Sequence, residues 1–525
     1  MHMNKIYQIF LLSVCCIAII LRFVWLDFGV ESILNRDEAA LAYNGYLLKE
    51  VGMDEWGRKW PMALESFGDY KLLGYPLLLT AFFSIFGVSD AVVRLPSAVA
   101  GMILIIAGYY FAGNFKLEKK WQLLFSFLIA TTPVFFFYSR IAFEANVGLA
   151  LLVVSIYFAY ISKQKWWFQV LAGLCMFAAC ATYNTPLLYI PFISVVLVFW
   201  HGIKNWKRWI ITLSLYTGAA IFFFTILSSL TAQKSSITIF SDELTNTNLI
   251  EYRLSLPTAL QPIIGNKYVY FGGLILQSLV KSFDPTFVVI RGGSHPWHTL
   301  PNWGNLLLPA YLFSMLGIVS LIYEVGIKLI QKKKLEFKIV KSDLVLLALV
   351  VISLLPASIT VDSPHTTRSL FFFFVLILVG TRGLQLAVSK IKNSQSVLML
   401  STLFLSSTIL IFSSYIYTYF TKYPEQMRSL YQGGLKSTLE NVEQRPDEQI
   451  AFVDVGGYHY VLVAWYLQLP PDVFYQTIIK QNPDRIGFRY GERVDRFHFI
   501  GKESDRSTVE KTLISWEDNY WEIKE

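Results

Sequence analysis

The sequence predicts a helical polytopic membrane protein. About 11 transmembrane helices, surface helices in the first outer loop and a small soluble α/β domain at the C-terminal end make up the expected fold. Three observations carry this. Hydrophobic residues are 54% of the 525 and charged residues only 16%, with a mean hydropathy of +0.47, too apolar for a soluble domain. Many apolar runs approach the roughly 20 residues a span needs. After residue 420 the composition turns soluble.

Apolar segments fall at 6–26, 72–88, 91–112, 121–138, 145–162, 166–182, 185–201, 208–231, 305–330, 343–361, 367–388 and 396–420. The first lacks a small-residue cleavage site, so it reads as a retained span, not a removed signal. Basic links follow some segments: Lys116, Lys119 and Lys120; Lys163 and Lys165; Lys204, Lys207 and Arg208; Lys332 to Lys341; Lys390 and Lys392. They alternate with less basic links, so the positive-inside rule assigns them to the cytoplasm. The same rule accounts for the net charge of +8 without nucleic acid. Parity then requires that 72–88, which is short and holds Gly74, Pro76 and Gly87, lie at the outer face and not cross. The N-terminus is expected in the cytoplasm and the C-terminus outside. Cys15, Cys16, Cys175 and Cys180 all sit in apolar segments and show no metal spacing.

Residues 1–420 are thus expected to form the membrane domain, with outer loops 27–90 and 232–304. The first loop should hold helices over 36–50 and 72–88. The second should hold them over 244–260 and 268–283, then a turn-rich end at 291–298. Within 421–525, Ile450 to Val455 reads as a strand and Tyr458 to Leu467 as a helix. Arg485 to Tyr490 and Arg496 to Ile500 read as a hairpin joined at Gly491-Glu492, and Ser507 to Trp516 as a closing helix.

This topology gathers ionisable residues on the outer side. Asp37 and Glu38 follow the first span, where Asp37 is suited to cap the next helix or to face both a membrane-held donor and an outside acceptor. Asp69 and Lys71 precede an apolar surface helix. Lys71 can snorkel to headgroups or meet a lipid phosphate near a helix N-terminus. Arg140 and Glu144 stand four apart at an outer turn. They can pair with each other, or Arg140 can take a phosphate bidentately while Glu144 orients it or binds a metal. In Asp362-Ser363-Pro364-His365-Thr366-Thr367-Arg368, His365 and Arg368 lie one helical turn apart, as a span cap or facing a phosphate. His295 and His298 have metal-ligand spacing, though two histidines in a turn read more simply as loop packing.

Taken in order, these residues resemble a known family, the C-type (GT-C) polyprenyl-phosphate-sugar-dependent glycosyltransferases. Its members include protein O-mannosyltransferases and the aminoarabinose transferases of lipid A. The carriers are Asp37-Glu38 after the first span, Asp69-Tyr70-Lys71 leading into Leu72 to Gly87, Val93-Arg94-Leu95-Pro96-Ser97-Ala98, and Ser139-Arg140 followed by Glu144. The resemblance covers the membrane region, most clearly residues 1–200. Two departures stand out. Lys71-Leu72-Leu73-Gly74 replaces a Lys-Pro-Pro-Leu-like element, and Glu144 replaces an Asp. The resemblance implies inverting transfer of a sugar from a polyprenyl-phosphate donor to a glycan, lipid or protein acceptor outside the cell membrane. It implies Asp37 as base, Glu38 in support, and Lys71, Arg94, Arg140, His365 and Arg368 on the donor phosphate. Asp69 and Glu144 are further site candidates. A divalent metal, with Glu144 or His365 as ligand, is compatible. No nucleotide is expected, because activation resides in the donor and the sequence has no phosphate-binding glycine loop. A transporter or flippase of lipid-linked sugars would need polar groups at mid-span, where Leu, Ile, Val, Phe and Ala dominate. A glycan ligase would share the outer-face site.

Overall fold

The computed structural model describes residues 5–28, 34–235, 238–293, 295–330, 334–445, 448–484, 488–507 and 509–525. Every apolar segment expected from the sequence is helical. Among the described residues, six helices are long and apolar enough to cross a membrane: Asp90–Gly113, Glu144–Ile161, Leu308–Lys328, Lys341–Ser358, Thr367–Val388 and Ser394–Thr421. Ile9–Phe23, Gly74–Phe86, Trp167–Thr182, Thr185–His201 and Ile210–Ile226 are apolar but shorter. The expected segment 121–138 is two helices, Lys119–Thr131 and Pro133–Tyr138. Proline pushes the residue before it into extended backbone, and Thr132 sits at φ −81°, ψ 127°. Proline then opens the next helix.

The chain divides into two compact units. One comprises residues 1–22, 100–139 and 145–416; the other comprises 23–99, 140–144 and 417–525.

In the first unit, the helix Leu370–Val388 is buried at every residue from Leu370 to Leu384. A helix that is apolar all round belongs in a core. Its contact with Leu308–Ile330 is a close backbone approach through glycines. A Cβ on Gly317 would stand 2.4 Å from the Gly380 Cα, and one on Gly383 would stand 2.0 Å from the Gly317 oxygen. Small residues are what let membrane helices approach this closely. Arg382 is tied to Asp343 of Lys334–Ser358 at 3.0 Å, both buried. The helices expected over 244–260 and 268–283 are Glu243–Ser255 and Lys267–Lys281.

In the second unit, helix Arg36–Val51 leads to a hairpin, Ala63–Ser66 with Asp69–Leu72. The hydropathy pattern gives no sign of this hairpin. Its two-residue turn, Phe67-Gly68, has φ 42° and 83°, the backbone that tight hairpin turns require. The apolar segment expected at 72–88 is the helix Gly74–Phe86.

Among the described residues the C-terminal part forms a six-stranded mixed sheet. Its order is Ile479–Lys480, Gly491–Val494, Phe497–Ile500, Gln449–Val453, Glu510–Glu517, Tyr520–Lys524. Gln449–Val453 runs parallel to both neighbours, and His459–Tyr466 follows it, as expected for that strand and helix. Two expectations are corrected. Gly491 and Glu492 lie within a strand, and that hairpin turns at Asp495-Arg496, with Asp495 at φ 50°. Residues 485–487 of the expected strand lie outside the described residues. Ser507 to Trp516 is not a helix. Glu510–Glu517 is a strand that returns through Asp518-Asn519, both at positive φ, residues that tolerate this turn.

This sheet region is fastened to residues 43–90 of the same unit. The Tyr43 hydroxyl donates to the Leu469 carbonyl at 3.0 Å, and the Trp465 indole to Asp90 at 2.7 Å. The Phe67 amide donates to the Tyr460 hydroxyl at 2.9 Å. The buried Lys480 ammonium lies 3.8 Å from the Trp56 ring centre and 3.6 Å from Glu55.

Gly380→Leu should cost about 1–3 kcal/mol through overpacking of the glycine contact and lower the melting temperature of the detergent-purified protein. Gly326→Ala, where an added Cβ meets nothing within 4 Å, should melt like the parent. Equal melting of all three proteins would refute the close-approach account.

Candidate active site

The residues Asn35-Arg36-Asp37-Glu38 start the helix Arg36–Val51. The Asn35 side chain accepts from the amides of Asp37 at 2.9 Å and Glu38 at 3.0 Å, and Glu38 Oε2 accepts from the Asn35 amide at 3.2 Å. This is a capping box. Asn35, not Asp37, is therefore the cap, and the side chain of Asp37 is left for other contacts.

Glu38 is buried. Its Oε1 accepts from Arg94 Nε at 2.8 Å and from the Ala142 amide at 2.7 Å; its Oε2 accepts from Arg94 Nη2 at 3.0 Å and Asn35 Nδ2 at 3.3 Å. Arg94 Nη1 donates to the carbonyls of Leu26 at 3.0 Å and Phe28 at 3.3 Å. A carboxylate offers about four lone-pair sites, so Glu38 is saturated. Its bidentate pair with Arg94 belongs to the strong class of charge-assisted bonds.

Asp37 differs from its neighbour. Its side chain is 27% exposed, and Oδ1 accepts from Lys71 Nζ at 2.9 Å. Among the described residues, Oδ2 has no hydrogen-bond partner. Lys71 also donates to Asp69 Oδ2 at 2.8 Å and is itself buried. Burial works against its charge, but Asp37 and Asp69, with Glu144 adding to them, outweigh it and hold the ammonium well above the usual lysine value. A raised lysine stabilises the fold fully below its ordinary value of 10.5 and loses that contribution only as pH climbs beyond it. Lys71 is therefore charged at neutral pH.

Phe67 forms the wall here. Lys71 Nζ lies 5.5 Å and the Arg36 guanidinium 5.8 Å from its ring centre, and Arg36 lies 5.3 Å from the Tyr458 ring. A non-glycine residue at positive φ is strained, and at Phe67 the strained position borders this ion cluster.

Arg140 is buried. It donates to the carbonyls of Val24 at 2.7 Å and Trp25 at 2.6 Å, and lies 5.2 Å and 4.9 Å from the rings of Tyr419 and Phe420. Asp37, Glu38, Asp69, Lys71, Arg94, Arg140 and Glu144 all belong to one compact unit.

His365 and Arg368 belong to the other, with His295 and His298. Their hub is Asp362, to which the sequence alone assigns no role. Its Oδ1 pairs with Arg368, and its Oδ2 lies 3.3 Å from His295 Nε2 and 3.4 Å from His365 Nε2. Burial, reinforced by Arg368 and only partly opposed by Asp362, pulls the His365 pKa well down. Burial raises that of Asp362, but Arg368 and His365 more than offset it, so the carboxylate sits below its ordinary value. His298 is held by a 2.9 Å bond between its Nδ1 and the Tyr138 hydroxyl. The i,i+3 spacing of Asp362 and His365 is the signal available in sequence.

Residues 78–381 match the family described as Glucosyl transferase GtrII. No curated protein matches the chain. Among solved structures it is similar to ArnT from Cupriavidus metallidurans bound to undecaprenyl phosphate. That likeness has a TM-score of 0.50 and 11% identity, over 88% of this chain and 85% of the other. It is also similar to the oligosaccharyltransferase AglB from Archaeoglobus fulgidus in complex with an inhibitory peptide and a dolichol-phosphate. There the TM-score is 0.46 and identity 11%, over 88% of this chain and 64% of the archaeal one. At 11% identity the likeness to ArnT is one of fold. The resemblance drawn from the ordered residues is borne out by the family match and by the fold shared with ArnT.

Replacing Glu38 by Gln removes a buried charge opposite Arg94. Breaking a buried pair from one side costs about 3–5 kcal/mol. Thermal unfolding of Glu38→Gln in detergent should show a large loss, whereas Asp37→Asn, at a partly exposed position, should lose far less. Equal melting of Glu38→Gln and the parent protein would remove Glu38 from its anchoring role.

Proposed function

The chain belongs to the glucosyl transferase GtrII family, and on that premise we propose that it transfers a hexosyl or pentosyl group with inversion from a polyprenyl-phosphate donor, with Asp37 as the general base. The observation that carries this reading is the contrast between adjacent carboxylates. Glu38 has its lone pairs filled, while Asp37 is partly exposed with one oxygen fixed by Lys71.

In the proposed step, the acceptor hydroxyl or amine gives its proton to Asp37 Oδ2 as its heteroatom bonds to the anomeric carbon. The bond from that carbon to the phosphate oxygen breaks on the opposite face, and polyprenyl phosphate leaves. Phosphate is a good leaving group without a strong acid, so the demand on the protein is to stabilise charge. Lys71 is the proposed phosphate contact. Arg94 and Arg140 act as positioning residues in this reading, because their guanidinium groups are engaged by Glu38 and by backbone carbonyls. Asp69 orients Lys71, and Glu144 adds to the field around it. His365 and Arg368, expected on the phosphate from sequence, are engaged with Asp362 and take no part in this step.

The same reading has eleven spans, a cytoplasmic N-terminus, and the site and residues 421–525 on the external face. It also gives residues 421–525 a part in holding the acceptor, supported by Tyr458 beside Arg36, next to Asp37. Aromatic faces with a few polar groups suit small-molecule recognition.

The test uses purified protein and a panel of polyprenyl-phosphate sugars, screened first for thermal protection. Asp37→Asn should lose about 10²–10⁴-fold in transfer rate while retaining donor protection. Lys71→Ala should lose donor protection as well. Parental turnover by Asp37→Asn would end the base assignment.

A further inference from the structure

One ligand atom from each of His295, Asp362 and His365 lies within 4.8 Å of the other two, and none of the three residues has a part in the transfer step above. We propose that His295, Asp362 and His365 form a binding site for one divalent transition-metal ion of the zinc class.

The spacing is the first argument. Tetrahedral coordination with metal–ligand bonds near 2.0–2.1 Å sets ligand atoms about 3.3–3.4 Å apart. The carboxylate oxygen stands 3.3 Å from one imidazole nitrogen and 3.4 Å from the other. These separations match the ligand spacing of such an ion, and the 3.3 Å contact from His295 is also a hydrogen bond to Asp362.

The surroundings are the second argument. Ligands in metal sites are oriented by partners behind them. Thr367 Oγ1 lies 2.8 Å from His365 Nδ1, which turns Nε2 toward Asp362. Arg368 occupies Oδ1 of Asp362, which turns Oδ2 toward the two imidazoles. The loop carrying His295 is tied to the 362–368 turn by the Gly293 amide, which donates to Thr366 Oγ1 at 3.2 Å. The side chain of His365 is 7% exposed, that of Asp362 31% and that of His295 37%. The site therefore has a buried floor and an accessible side, the form of sites that keep a coordination position open. Two imidazoles and one carboxylate suit zinc and its neighbours, whereas calcium and magnesium favour all-oxygen shells. His298 is excluded from the ligand set, since its Nδ1 is bonded to Tyr138 and it lies outside the converging trio.

The experiment measures metal, not sugar transfer. Full-length protein in detergent is stripped with chelator, reloaded with Zn²⁺ or Co²⁺, and assayed for bound metal and for the visible bands of tetrahedral Co²⁺. About one ion per chain is expected, with Mg²⁺ in excess failing to displace it. Loss of an outer partner typically weakens a metal site by about 10–100-fold. Thr367→Val should fall in that range, and loss of a ligand in His295→Gln or Asp362→Asn should exceed it. His295 lies at an accessible loop position, so His295→Gln is expected to fold even where a variant at buried His365 does not. His298→Gln should bind metal like the parent. The proposal is overturned if the parent binds well under one ion after reloading, if His295→Gln keeps parental affinity, or if Mg²⁺ competes on equal terms.

Discussion

The organisation of the second compact unit depends on one carboxylate. Glu38 receives both arms of Arg94, the amide of Ala142 and the donors of Asn35. These groups come from the start of one helix, the face of a second and the turn before a third. A charge removed from water is tolerable only when it is paired and its remaining lone pairs are met. Meeting that condition at Glu38 ties the three segments into one mutual arrangement. Asp37 precedes Glu38 on the same helical turn, so its position is set by the same arrangement.

The arginines obey a related constraint. Near a membrane, carbonyls at the end of a helix have little water to turn to, and each unmet group costs several kcal/mol in a lipid environment. Arg94 serves Leu26 and Phe28, and Arg140 serves Val24 and Trp25. Planar guanidinium groups with several fixed donors can bridge such carbonyls where a lysine ammonium would serve them less well. Two residues that sequence order suggests as phosphate ligands thus satisfy the backbone that follows the first apolar helix. Lys71 is engaged differently, its compact charge held between the carboxylates of Asp37 and Asp69.

Much of this is legible in the sequence. The apolar segments are, because length and hydropathy decide them, and so is the cluster of acids and bases around Asp37, because its members follow one another in a recognisable order. What is not legible has local causes. The hairpin at 63–72 turns on Phe67, which is not a turn-forming residue, and only Gly68 hints at it. Glu510–Glu517 reads as a helix unless Asp518-Asn519 is given the weight of a tight turn. The break at Pro133 is hidden inside a continuous apolar run. Asp37 as a helix cap is displaced by Asn35, two residues earlier, since either side chain can take that place and only the backbone decides. The role of Asp362 is only half legible: its spacing to His365 can be read, but its contact with His295 spans 67 residues of sequence.

The neighbouring carboxylates also bear on how the proposed displacement can proceed. A double displacement would require a carboxylate able to bond the anomeric carbon as well as one able to move a proton. Glu38 cannot take the first role, because attack through either oxygen would strip donors from a buried anion and leave Arg94 uncompensated. Asp69 shares Lys71 with Asp37, so moving it toward a sugar would loosen the base from its own anchor. Of these three acids, Asp37 is the one whose second oxygen is available without dismantling its support, and a single proton acceptor is what direct attack by the acceptor requires. On the proposed reading the site thus favours a one-step inverting transfer, with Asp37 as the proposed base and the carrier lipid's phosphate as the leaving group.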